Sequence, residues 1–261
     1  MILSFNIEYR TNWGEEVKLA GLSTESTPMY TTDGIYWTAE VELEVPQEGL
    51  TIHYSYQIEQ NGIVIRKEWN NFPRCLFLSG TPRKKYRIND CWKNIPEQLY
   101  LYSSAFTEAL LSHPERVDIP QGYKKGLIIK AYAPRINKDY CLAICGNQKA
   151  LGNWDPEKAV LMSDSNFPEW QVELDASKLK YPLEYKFILC HKQERKIDCW
   201  EKNPNRYLAD PEIKTNETLV ISDRYVYFDI PMWKGAGIAI PVFSLKSEKS
   251  FGVGDFGDLK L

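Results

Sequence analysis

The residues of this chain whose types and spacing could do chemistry are two indoles, one ammonium and one amide, each set in a distinctive local string. Leu151-Gly152-Asn153-Trp154-Asp155-Pro156 comes first, Glu184-Tyr185-Lys186-Phe187 follows, and Trp200-Glu201-Lys202-Asn203-Pro204-Asn205-Arg206 closes the set. An indole offers a flat apolar face, a lysine offers donors, and an asparagine offers both donors and an acceptor. A sugar ring, with C–H-rich faces and hydroxyl-rich edges, matches that mixture. A metal or a phosphate does not.

Local sequence says how each residue is presented. Trp154 lies between Gly-Asn and Asp-Pro, so it belongs to a turn rather than a strand interior. Trp200 stands just before a Pro/Asn turn, with Asp198 and Glu201 beside it. Lys186 falls between Tyr185 and Phe187 on a strand and points the opposite way from both. On its own it reads as an ordinary solvent-facing strand lysine, and Asn205 reads equally well as a turn cap.

These strings resemble the starch-binding carbohydrate-binding module of family 20, found at the end of glucoamylases. The resemblance covers roughly residues 125–225, with three motifs in the family's order. It implies a site in which Trp154 and Trp200 sandwich α-glucan rings while Lys186 and Asn205 bind hydroxyls, with Glu201 a further contact. Stacking of about 1 kcal/mol per ring, by analogy with aromatic pairs, would give one such site a roughly micromolar to millimolar Kd. Weak sites of that kind gain from being used together on a polymer.

A degenerate repeat supplies the frame. Aligning Gly21 with Gly146 matches Trp37 to Trp170 and His53-Tyr54-Ser55-Tyr56 to Glu184-Tyr185-Lys186-Phe187. Ser55 to Trp69 and Lys186 to Trp200 then share a spacing of 14 residues. Both halves read as short alternating strands broken by Gly, Pro, Asn and Asp. The expected fold is all-β: two small antiparallel Ig-like β-sandwiches in tandem, over residues 1–95 and 123–230. Gly21 to Trp37 is eight residues shorter than Gly146 to Trp170, which removes any counterpart of Trp154, and Ser55 replaces the lysine. Trp69 alone makes no sandwich. The resemblance instead points to the family's second type of site in the first half, built from Trp13, Trp37 and Tyr30.

Composition excludes several classes. Lys+Arg number 32 and Asp+Glu 35, a net charge of −3 with no basic block, which argues against a nucleic-acid partner. Aromatics make up 13% of the chain, with 8 Trp and 16 Tyr, and most of these suit β-sheet packing. The 6 cysteines show no Cys-x-x-Cys spacing and the 3 histidines are scattered, so neither a metal nor a cofactor is expected. The chain shows no secretory signal and no membrane span. Reduced thiols and a cytoplasmic location are expected.

Residues 96–122 contain Leu99-Tyr100-Leu101-Tyr102 and are too apolar for a flexible linker, so a packed connector is expected. In residues 231–261, Gly237-Ile238-Ala239-Ile240-Pro241-Val242-Phe243 and Gly252-Val253-Gly254-Asp255 resemble the opening of an amylomaltase-type 4-α-glucanotransferase barrel. A barrel needs about 250 residues, so the resemblance implies the first strand of a truncated (β/α)8 barrel. The parent would transfer α-1,4-glucan segments by a retaining mechanism on two carboxylates. Neither carboxylate is expected in this chain, so no residue is nominated as catalytic and the fragment alone should be inactive. The implied partners are α-1,4-glucan polymers, maltooligosaccharides and the missing barrel. A non-catalytic glycogen- or starch-targeting protein and a β-sandwich protein-interaction scaffold remain alternatives.

Overall fold

The computed structural model describes residues 1–69, 73–80, 85–94, 122–133, 136, 139–194, 196–223, 226 and 228. The connector and the barrel opening expected at 96–122 and 231–261 lie outside the described residues, apart from residue 122.

The first half runs through β1 (Ile2–Glu8), β2 (Glu15–Ala20), β3 (Thr27–Pro28), β4 (Tyr36–Glu42), β5 (Leu50–Gln60), β6 (Ile63–Lys67), β7 (Arg74–Leu78) and β8 (Lys85–Cys91). The second runs through β9 (Lys125–Tyr132), β10 (Tyr140–Gly146), β11 (Val160–Leu161), β12 (Ser163–Asn166), β13 (Glu169–Asp175), β14 (Leu183–His191), β15 (Ile197–Trp200), β16 (Arg206–Leu208) and β17 (Glu217–Asp223). Apart from β12, which fills part of the longer spacer, each strand has a counterpart with the same pairing. Alternation drives the pattern: Leu3, Phe5 and Ile7 of β1, and Ile52, Tyr54, Tyr56 and Ile58 of β5, are all buried on one face.

Local contacts repeat as well. Trp37 and Trp170 are buried and each donates its indole N–H at 3.1 Å to a backbone carbonyl, Tyr9 O and Ala133 O respectively. A side chain at Gly21 would strike His53 O, and one at Gly146 would strike Glu184 O. Those carbonyls belong to matched residues.

Each half contributes one small sheet. The first has the order β3-β2-β5-β6, with β7 also on β5, and the second has β11-β10-β14-β15, with β16 also on β14. The remaining strands do not form two separate sandwich sheets as expected. They join into one seven-stranded sheet, β12-β13-β9-β17-β8-β1-β4, in which β9, β17, β8 and β1 are mutually parallel. The join is β8 against β17, and it covers an edge that either half alone would leave open.

The two cores lie on opposite faces of this shared sheet. Leu127, Ile129 and Leu219 point into the second core, whereas Ile128 and Val220 point into the first, beside Ile88. β9 is therefore apolar on both faces, as a parallel strand at the middle of a covered sheet must be.

Candidate functional site

The loop that carries Trp154 is anchored before it is shaped. Helical turns span Lys149–Trp154, and Leu151 is fully buried against Gly146, where an added Cβ would lie 2.8 Å from Leu151 Cδ1. After that anchor the backbone turns left-handed for three residues, with φ of +83° at Gly152, +54° at Asn153 and +61° at Trp154. Gly152 meets both demands of its position, because a Cβ there would also sit 2.9 Å from Lys158 O. Left-handed non-glycine residues cost about 1 kcal/mol or more each and persist where surrounding structure holds them. Here Asn153 N–H donates to Gln148 O at 3.0 Å and Asp155 N–H to Gly152 O at 2.9 Å. Asp155 then caps the next turn through Glu157 N–H and pairs with Lys158.

Sheet register decides where the other residues point. Cys145 pairs with Lys186, and Ile188 pairs with Ala143 on one side and Trp200 on the other. Cross-strand partners share a face, and so do residues two apart on a strand. Lys186 and Trp200 therefore lie on the outer face of the small sheet, away from the core. Trp154 joins them through its ring contact with Trp200, close to Cys145, whose thiol burial pushes up. The rings of Trp154 and Trp200 are 6.2 Å apart at 47°. Both indoles are half-buried, so each keeps a face to solvent. Lys186 is half-buried too, and its ammonium has no ion-pair or hydrogen-bond partner among the described residues.

The geometry corrects the sandwich. A ring held between two indoles needs facing planes roughly 7–8 Å apart, twice a van der Waals contact of about 3.5–4.0 Å. Rings tilted together at 6.2 Å leave no such slot. They form an angled apolar platform, over which a bent glucan can lie with Lys186 at its edge.

Glu201, expected as a glycan contact, is instead a buried brace. Its residue is 2% exposed, and its carboxylate accepts from Phe187 N–H at 2.7 Å, from Asn203 Nδ2 at 3.2 Å and from Arg206. Arg206 also lies 3.4 Å from Asp223, whose other partner is the Tyr185 hydroxyl at 2.8 Å. Burial pushes Asp223 up to about 6, against the pull of Arg206. The brace closes the turn between β15 and β16, on which Asn205 stands exposed. The first half repeats it: Glu68 accepts from Tyr56 N–H at 3.1 Å and holds Arg74 at 2.7 Å, Arg74 holds Asp90 at 3.0 Å, and Tyr54 donates to Asp90 at 3.0 Å.

That repeat overturns the match of Trp69 with Trp200. Glu68 N–H donates to Tyr56 O and Glu201 N–H to Phe187 O, both at 3.0 Å, so the two glutamates are equivalent. Trp69 then corresponds to Lys202, and Lys67, paired with Gln57, takes the place of Trp200, paired with Ile188. The equal spacing of 14 was a coincidence of hairpin length. The first half has serine and lysine where the second has Lys186 and Trp200.

Of the residues expected in the first-half site, Trp13 is 99% exposed and Tyr30 is 72% exposed. Trp37 is corrected: at 5% exposure it is a core residue, held by its bond to Tyr9 O. The residue missed is Tyr36, which is 60% exposed. With Trp37 turned inward, Tyr36 faces outward with Thr38, and Thr38 pairs with Tyr30. Strict alternation around Trp37 was the signal for it.

Comparison with known proteins places the second-half geometry. Residues 129–220 match the family model described as Starch binding domain. The chain is also 25% identical to the 4-alpha-glucanotransferase DPE2 of Oryza sativa subsp. japonica over 285 residues, which covers 99% of this chain and 29% of that protein. The chain thus spans under a third of that relative's length. Among solved structures, the family 20 CBM of the maltotetraose-forming amylase from Pseudomonas saccharophila STB07 aligns at 18% identity and a TM-score of 0.31, covering 38% of this chain and 99% of that one. The family 15 glucoamylase from Hypocrea jecorina aligns at 21% identity and a TM-score of 0.32, covering 43% of this chain and 19% of that one. Among the described residues no group of three or more His, Cys, Asp or Glu could hold a metal, none of the six cysteines is in a disulfide, and no helix is long and apolar enough to cross a membrane.

Proposed function

We propose that this chain is the α-glucan-binding region of a 4-α-glucanotransferase, and that Trp154, Trp200, Lys186 and Asn205 hold the glucan. The observation that carries this reading is the angled Trp154–Trp200 platform, with an unpartnered lysine on the same face, inside the stretch that matches a starch binding domain. The indoles take up the C–H faces of one or more glucose rings, and Lys186 and Asn205 donate to hydroxyls at the edge. Glu201 acts through Asn203 and Arg206 to hold the turn that presents Asn205.

Residues 1–95 are read as a second module of the same ancestry, with a shallower site at Trp13, Tyr30 and Tyr36. Residues 231–261 are read as the entry to a catalytic barrel, which in the parent protein would move α-1,4-glucan segments from donor to acceptor with retention. Delivery of branched polymers such as glycogen to that barrel is the role assigned to this region. A reducing, cytoplasmic setting accords with six cysteines that form no disulfide.

Titration of intrinsic tryptophan fluorescence with β-cyclodextrin and maltoheptaose tests the reading. The native chain should respond saturably, and the Trp154→Ala/Trp200→Ala variant should lose most of the response. An identical titration for the two proteins would overturn it.

A further inference from the structure

The four parallel strands at the centre of the shared sheet end on one edge. Tyr9 follows β1, Trp92 follows β8, Asp223 ends β17 and Tyr132 ends β9. A cavity of about 590 Å³ opens along this edge, with walls from both halves. That volume lies within the range of about 300–1,000 Å³ usual for small-molecule sites. The carboxyl end of parallel strands is also where open α/β sheets collect their ligands.

One part of the wall is aromatic. Tyr9 and Trp92 pack with ring centroids 4.4 Å apart at 41°, and Trp69 is tied beside them by its backbone N–H on Lys93 O at 3.2 Å. Tyr132 faces them from the second half, with Lys93 Nζ 5.8 Å from its ring. All four rings are half-buried.

The other part is ionic and held rigid. Arg74, 2% exposed, is clamped between Glu68 and Asp90, and Ser222 of the second half also donates to Asp90 at 2.5 Å. Lys130, 1% exposed, holds Glu169 at 2.8 Å and donates to Cys75 O in the first half. Among the lining residues Arg10, Arg74, Lys93 and Lys130 face Glu8, Glu169 and Asp223, with Glu68 and Asp90 directly behind. With the two carboxylates behind the wall included, five carboxylates offset four cations, so no net positive field draws a phosphate. Buried ion pairs beside the cavity make it a poor home for a lipid or other purely apolar ligand. Aromatic faces combined with fixed donors and acceptors, their charges largely paired, suit a neutral polyhydroxylated ring.

We propose that this cleft is a further α-glucan site, taking a short neutral maltooligosaccharide between the two halves. The proposal rests on the reading that the chain binds α-glucan, but uses none of the residues of the Trp154–Trp200 platform. Trp69, left without a role once it is seen not to match Trp200, provides a stacking face, and the sugar touches both halves at once.

Calorimetric and fluorescence titration of the whole chain with maltotriose tests it, using a variant silenced at both outer surfaces (Trp154→Ala, Trp200→Ala, Trp13→Ala, Tyr30→Ala). That variant should still bind one maltotriose. Adding Trp69→Ala should weaken the residual binding about fivefold, the loss of one stacked ring. Adding Asn94→Trp instead, at the exposed rim, should block it without disturbing the core. If the native chain binds and the silenced chain does not, the cleft is no site while the outer platform stands. If residual binding survives both additions unchanged, it lies elsewhere and the cleft is again excluded. A native chain that binds no maltotriose overturns both readings.

Discussion

Replacing Glu201 by alanine separates a brace from a ligand contact. The carboxylate is fully buried, with Arg206, Asn203 and the Phe187 amide on it. Removing one partner of a buried ion pair costs about 3–5 kcal/mol, because the other charge is left unpaired. Arg206 is 14% exposed and can turn partly to water, so the lower end, about 3 kcal/mol, is expected. For a chain of this size each kcal/mol moves Tm by about 2–4 °C, which predicts a drop of roughly 6–12 °C. Glu68→Ala should cost more, because Arg74 is 2% exposed and would remain buried. The assay is a thermal melt followed by circular dichroism, paired with maltoheptaose titration well below the new Tm. Affinity per folded Glu201→Ala molecule should fall only a few-fold, through loosening of the turn that carries Asn205. A variant that melts like the native chain yet binds no sugar would refute the brace and restore Glu201 as a direct contact.

Trp154→Ala and Trp200→Ala should each weaken maltoheptaose binding about fivefold, the equivalent of about 1 kcal/mol of stacking per ring, with little change in Tm; calorimetry reads the first and melting the second. Trp37→Ala should destabilise the first half by about 3–5 kcal/mol as a core truncation, whereas Trp13→Ala, at a fully exposed position, should leave the melt unchanged. Acid stability has two opposed contributions. Burial alone would raise Glu169, but Lys130 and Lys93 outweigh it and hold its carboxyl at about 2, so its stabilising share is present above the usual carboxylate range and is lost as pH falls toward 2. Asp223 at about 6 binds its proton more tightly when folded, so its share declines as pH rises from about 4 to 6. Urea melts across that range should show Glu169→Gln flattening the first dependence and Asp223→Asn the second.

The sequence disclosed most where local strings set local geometry. Trp154 in its Gly-Asn/Asp-Pro turn, Lys186 alternating against Tyr185 and Phe187, and the match of Trp37 with Trp170 were all readable, because turn chemistry and period-2 alternation act over a few residues. What failed needed longer range. The equivalence of Glu68 with Glu201 rests on backbone hydrogen bonds across a bulged hairpin, and a bulge shifts register without changing composition. The Trp37 side chain was placed outward by analogy, although the strand's own alternation with Tyr36 pointed inward. The join of β8 to β17 left only an indirect mark in the sequence: Leu127-Ile128-Ile129 is apolar on both faces, where a solvent-facing sandwich strand would alternate.

That join has a bearing on how the protein can be cut. A boundary drawn from the family match, at residues 129–220, begins inside β9 and stops at Val220. It would strip β8 from β17 and turn the face of Val220 to water, leaving a naked parallel edge beside a greasy patch, the combination that templates strand-to-strand aggregation. The unit that the family match delimits is therefore smaller than the unit that can stay in solution, and an excised stretch of residues 129–220 should precipitate even though both indoles of its platform, Trp154 and Trp200, are present.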